Sequence, residues 1–183
     1  LAYDFVNTNR DQSETDPQTP IGVYKKIVSP DISWYNPVFN SLELDFNSCF
    51  DDFALLHEYG HVVCAQISSL AWIASAHSGC DTALNGIVIA PPGQSYVQDF
   101  KSQHAWLEGF ANYFSRTVAK AYPKGTFYGS GSINQFEIEK PSCYFKSIKI
   151  ENVVAAVLWD LVDGPGDVGY VLENFDNAQD YDK

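Results

Sequence analysis

The sequence predicts an α+β fold, and three observations carry that expectation. Short runs alternating apolar and polar residues fall within the first 46 residues, as half-buried strands do. Two long stretches, 50–69 and 102–122, have the composition and spacing of helices, and 152–161 adds a third near the C-terminus. Most of the expected strands come before the helices, and the sheet expected is a small mixed or antiparallel one at the N-terminal side. At 183 residues the chain suits one domain, 1–183, large enough for a real core.

In chain order, Leu1 to Val6 alternates and is expected to be a strand. Asn7 to Pro20 is polar, contains two prolines and reads as a loop. Gly22 to Val28 is a second strand. Phe39 to Phe46 is a third, with Phe39, Leu42, Leu44 and Phe46 apolar and Ser41, Glu43 and Asp45 polar.

The helix from Phe50 to Ser69 follows. Asn47 or Ser48 can cap it, and Asp51 and Asp52 favour its positive N-terminal end. It is apolar on every side, which places it in the middle of the fold. Gly60 costs about 1 kcal/mol relative to Ala in a helix interior, so a close approach by another helix is expected there. The pattern allows the helix to run on to His77. Ile87-Val88-Ile89 reads as a short strand and Pro91-Pro92-Gly93 as a turn.

In the helix from Ser102 to Tyr122, Trp106, Phe110, Tyr113, Thr117 and Ala121 form a stripe expected in the core. Ala105, Glu108, Asn112, Ser115 and Ala119 form another, which puts a carboxylate and an amide one turn apart. Gly125 to Ser132 is a loop. The C-terminal helix faces inward through Val153, Val154, Val157, Leu158 and Leu161.

Composition narrows the function. The net charge is −12, which disfavours nucleic acid, because phosphate contacts need a basic surface. No apolar run is long enough for a membrane span. The chain starts at Leu1 and has no Met, as expected of a mature or excised segment. Cys49, Cys64, Cys80 and Cys143 match no CxxC pattern. They fit a secreted or extracytoplasmic protein with up to two disulfides, for which three pairings exist; a cytosolic protein with four buried thiols is the alternative. Cys64 reads as core or disulfide rather than ligand.

The chemistry lies in His57-Glu58-Tyr59-Gly60-His61, an HExxH pattern on a helix. Its histidines, four apart, share one face and can reach one metal ion, zinc (Zn2+). Glu58, about 100° round the helix from His57, can act on a water rather than ligate the metal. A pair of merely packed histidines is the alternative, but burying two His and a Glu without partners is expensive. Glu108 is the preferred third ligand, since Trp106, Leu107 and Phe110 make its surroundings apolar. Pairing of Glu108 with Lys101 or Arg116 is the alternative. His77, Asp81, Asp99 and His104 are the rival ligands, none with an equally buried helical setting. Asn112, one turn on, is placed to hydrogen-bond an imidazole and fix its tautomer.

Together, His57-Glu58-Tyr59-Gly60-His61 and Glu108-Gly109-Phe110-Ala111-Asn112 resemble the gluzincin metallopeptidases, of which thermolysin is the best-known type. Asn36-Pro37-Val38-Phe39-Asn40-Ser41-Leu42-Glu43 is similar, more weakly, to the edge strand that pairs with substrate in such enzymes. The resemblance implies a zincin-like fold, with an edge strand over the cleft and the HExxH helix packed on the glutamate helix. It implies His57, His61 and Glu108 as zinc ligands, Glu58 as general base, and Asn36, Val38 and Phe39 as substrate-binding residues. The activity it implies is endopeptidase cleavage of peptide or protein substrates. Two features depart from the pattern. The interval from His61 to Glu108 is longer, and no His follows His104; Tyr128, Tyr144, Tyr170 and Arg116 are the candidates for an oxyanion donor, with no choice among them.

Other zinc chemistries stay open. An aminopeptidase needs an acidic anchor for the free amine, for which Glu43 and Asp45 are candidates; a cell-wall-peptide amidase and a non-catalytic zinc-containing module are further alternatives. Calcium (Ca2+) is a secondary expectation. Asp160, Asp163, Asp167, Asp176, Asp180 and Asp182 supply carboxylates, but without EF-hand spacing, so solvated surface is the preferred reading.

Overall fold

The computed structural model describes residues 2–9, 21–25, 33–45, 51–68, 70, 72–75, 80, 86–89, 100–122, 138, 143 and 147–163. Among the described residues the fold is mixed α+β. Its elements are α1 (Ala2–Asn9), β1 (Gly22–Lys25), β2 (Trp34–Asn36), β3 (Ser41–Leu44), α2 (Asp52–Ile67), β4 (Trp72–Ser75), β5 (Gly86–Ile89), α3 (Phe100–Ala121) and α4 (Glu151–Asp163). The chain packs as two compact units, Leu1–Ser69 with Phe114–Ser132 and Leu70–Tyr113 with Ile133–Lys183. The division falls inside α3, so neither unit is a contiguous segment.

In the first unit β3 is the central strand of a three-stranded mixed sheet, parallel to β1 and antiparallel to β2. Alternation along the strands sorts its faces. Tyr35 and Leu42 are register partners and, with Leu44, are buried apolar residues of one face. Trp34, Asn36, Ser41 and Glu43 alternate onto the other. The third strand is shorter than the alternation suggests. Pro37 to Asn40 form a turn, because the Asn36 Oδ1 accepts from the backbone N–H groups of Val38 (3.1 Å) and Phe39 (3.3 Å). Asn40 completes it at φ 46°, a left-handed conformation that Asn tolerates.

The N-terminal segment is a helix, not a strand. Ala2, Phe5 and Val6 are half-buried while Tyr3, Asp4, Asn7 and Thr8 are exposed, which is a period near 3.6. Phe5 meets Phe114 edge-on, with ring centroids 6.0 Å apart.

Helix α2 packs against β2 and β3. Its cap is Asp51, not Asn47 or Ser48: Asp51 Oδ1 accepts from Phe53 N at 2.9 Å and Ala54 N at 3.2 Å. The helix is not buried all round. Leu56, Glu58 and Gly60 to Cys64 are buried, but Ala65, Gln66 and Ile67 are exposed. Nor does it run on to His77. Ser68 is extended, and its N–H (3.0 Å) and hydroxyl (2.7 Å) both bond to the Cys64 carbonyl, closing the last turn.

In the second unit β4 and β5 form an antiparallel pair, with Trp72 opposite Ile89 and Ile73 opposite Val88. A disulfide joins Cys80 to Cys143, and these cysteines pack with Ile150 and Val153 of the α4 region. Cys64 is a buried thiol, and Cys49 lies outside the described residues. Helix α4 buries Val153 to Ala156 and Trp159, while Leu161, expected inward, is exposed. Helix α3 turns a different stripe inward from the one expected. Leu107, Ala111, Phe114 and Val118 are buried, whereas Trp106 is 41% exposed. A Cβ on Gly109 would lie 2.7 Å from both the Glu151 carbonyl oxygen and Val154 Cβ.

Candidate metal centre

Helix geometry and capping build the centre from α2. Asp51 fixes where the helix starts, and so fixes the phase of every later side chain. His57 and His61 then lie one turn apart, their rings perpendicular with centroids 4.8 Å apart. His61 is 2% exposed and Glu58 is also buried, while His57 is half-buried.

Helix α3 supplies the third group. From Phe114 onward it belongs to the first unit, and Phe114 packs on the Tyr59 ring at 6.1 Å. The Arg116 guanidinium lies over Phe53, 5.2 Å from the ring centroid. Glu108 precedes Phe114 on the same unbroken helix by less than two turns. His57, His61 and Glu108 each offer one ligand atom, and these atoms all lie within 4.8 Å of one another. Ligand atoms around a tetrahedral zinc stand about 3.3 Å apart, from bonds of about 2.0–2.2 Å. A group of this spacing could hold a metal ion. Two imidazoles and a carboxylate therefore fit a metal ion, and the nitrogen donors favour a transition metal over calcium, which takes oxygen.

The surroundings carry charge consequences. Burial pulls the Arg116 guanidinium below its ordinary value, and the Asp51 carboxylate offsets part of that. Arg116 thus serves the first turn of α2 through Asp51 and Phe53. Burial, with Tyr3 adding to it, pushes the Tyr59 phenol above its ordinary range, so it stays a neutral O–H.

Other expected site residues take different places. Asn112 is half-buried one turn beyond Glu108. The Asn36 side chain is buried and spent on its own turn, and its Nδ2 also donates to Glu43 Oε1 at 2.8 Å. The other Glu43 oxygen accepts from Trp34 Nε1, also at 2.8 Å. Val38 and Phe39, at the tip of that turn, are 69% and 76% exposed. They stand in a tight turn rather than the extended strand expected of a substrate-pairing edge. His77, Asp81, Asp99, Tyr128, Tyr144, Tyr170, Asp167, Asp176, Asp180 and Asp182 lie outside the described residues.

The sequence reading undervalued His104. It sits as deep as any ligand, 2% exposed, with Nε2 3.7 Å from Glu108 Oε1. Its four-residue spacing from Glu108 on a helix was the available signal.

No family model matches the sequence, and no solved structure matches it. The chain is similar to an uncharacterized protein of Archaeoglobus fulgidus, 29% identical over 153 residues. The match covers 81% of this chain and 39% of that protein, so the chain spans about two fifths of its relative's length.

Proposed function

We propose that the chain is the catalytic part of a zinc endopeptidase of the gluzincin kind, with a zincin-like arrangement of its helices. The supporting observation is the convergence of His57, His61 and Glu108 on one point, with the buried Glu58 beside His57. Zinc held by these three would supply Lewis acidity toward a peptide carbonyl and lower the pKa of a water toward about 7. Glu58 takes a proton from the attacking water and delivers it to the leaving amine, which balances the hydrolysis. Asn112 orients an imidazole. Exposed Val38 and Phe39 offer apolar surface to a peptide or protein substrate, and Asn36 holds the turn that presents them.

An aminopeptidase is less well supported, because both candidate amine anchors are engaged. Glu43 binds Trp34 and Asn36, and Asp45 accepts from the Ser33 hydroxyl at 3.1 Å. A non-catalytic zinc module needs no general base, the role the buried Glu58 is placed to fill. The Cys80–Cys143 disulfide supports an extracytoplasmic location, where such bonds persist. Among the described residues no helix is long and apolar enough to cross a membrane.

The test is metal analysis followed by hydrolysis of a blocked peptide library. The proposal expects one zinc per chain and chelator-sensitive cleavage within the blocked peptides. Undiminished cleavage by the Glu58→Gln variant would sink it.

A further inference from the structure

We propose that His104 is the positioning residue for the Glu108 carboxylate, a role that rests on Glu108 being a metal ligand. The two residues are four apart on α3, so the helix backbone sets their spacing. Their side chains are 2% and 7% exposed, and His104 Nε2 stands 3.7 Å from Glu108 Oε1. His104 lies outside the group whose ligand atoms converge. It therefore acts on the ligand rather than on the metal.

The chemistry is that of an imidazole Nε2–H donating to a carboxylate. Hydrogen-bond length is about 2.9–3.0 Å, so a side-chain movement of under about 1 Å completes the contact. A carboxylate has two oxygens. One held by His104 leaves the other for the metal and stops the side chain from swinging between rotamers. Outer partners of this type typically change metal affinity by about 10- to 100-fold when removed.

The experiment measures zinc affinity by competition with a chromogenic chelator, using the purified chain and the variants His104→Leu, His104→Gln and Glu108→Ala. Leu fills the buried space without a donor, and Gln can return a donor to the Nε2 position. The expected result is a loss of about 10- to 100-fold in affinity for His104→Leu and recovery to within about threefold of wild type for His104→Gln. Metal-free melting of both variants is expected to match wild type. Wild-type affinity in His104→Leu overturns the positioning role. Equal losses in both variants, with lowered metal-free melting, also overturn it, in favour of simple packing. Zinc binding that survives Glu108→Ala overturns the ligand reading itself, and the role of His104 with it.

Discussion

Gly109 of α3 and Val154 of α4 meet with no room for a side chain between them: a Cβ on the glycine would lie 2.7 Å from Val154 Cβ. The Glu151 carbonyl is equally close and, being backbone, has little freedom to yield. Overpacking of this kind costs about 1–3 kcal/mol, against about 1 kcal/mol gained in helix propensity on replacing Gly by Ala. Gly109→Ala is therefore expected to melt below wild type by a few degrees. An equal or higher melting temperature would show that the two helices can part without cost.

Glu58 is buried beside His57 but takes no place among the three ligands. Glu58→Gln preserves shape and removes the proton acceptor. It is expected to retain wild-type zinc content while peptide hydrolysis falls by about 10²- to 10⁴-fold, the usual contribution of a general acid–base group. Loss of zinc from this variant would instead mark Glu58 as a ligand.

Glu108 is buried, and a buried carboxylate would be stabilised by a metal ion bound to it. If the chain holds zinc as proposed, then at zinc one hundred times above its dissociation constant binding would add about 2.7 kcal/mol to wild-type stability. Glu108→Ala is expected to forgo that increment, so the two proteins differ in melting with zinc and converge when a chelator is added. A zinc-induced rise of equal size in both would assign the third ligand elsewhere.

The Cys80–Cys143 bond spans 63 residues. Closing a loop of that length restricts the unfolded chain by about 4 kcal/mol in the chain-entropy account. The double variant Cys80→Ser with Cys143→Ser is expected to unfold at markedly lower denaturant concentration. No change in the midpoint would mean that the bond contributes nothing to equilibrium stability.

The legibility of the chain follows the range of the interactions involved. The α2 and α3 helices, the Ile87 strand and the α4 helix were readable because their signals are local: periodicity, flanking turns and composition. The α1 segment was misjudged because six residues fit alternation and helical spacing equally well, and burial of Phe5 against Phe114 decides between them. The cap of α2, expected at Asn47 or Ser48, is decided in a related way. Several polar residues precede α2, and only the realised backbone shows that Asp51 reaches the first turn.

The α+β class, the two motif histidines and the preference for Glu108 are legible without the fold, since periodicity, helical spacing and the chemistry of imidazole and carboxylate are local properties. Tertiary structure decided which stripe of α3 turns inward, because packing density favours Leu107, Ala111, Phe114 and Val118 over the bulkier Trp106. It also selected the cysteine pair, drew Asn36 into its own turn, and set His104 against Glu108. The cysteine pair and the inward stripe depend on which groups are removed from water together, and no local pattern specifies that; the Asn36 turn and the His104–Glu108 spacing are local, and the structure adds their burial.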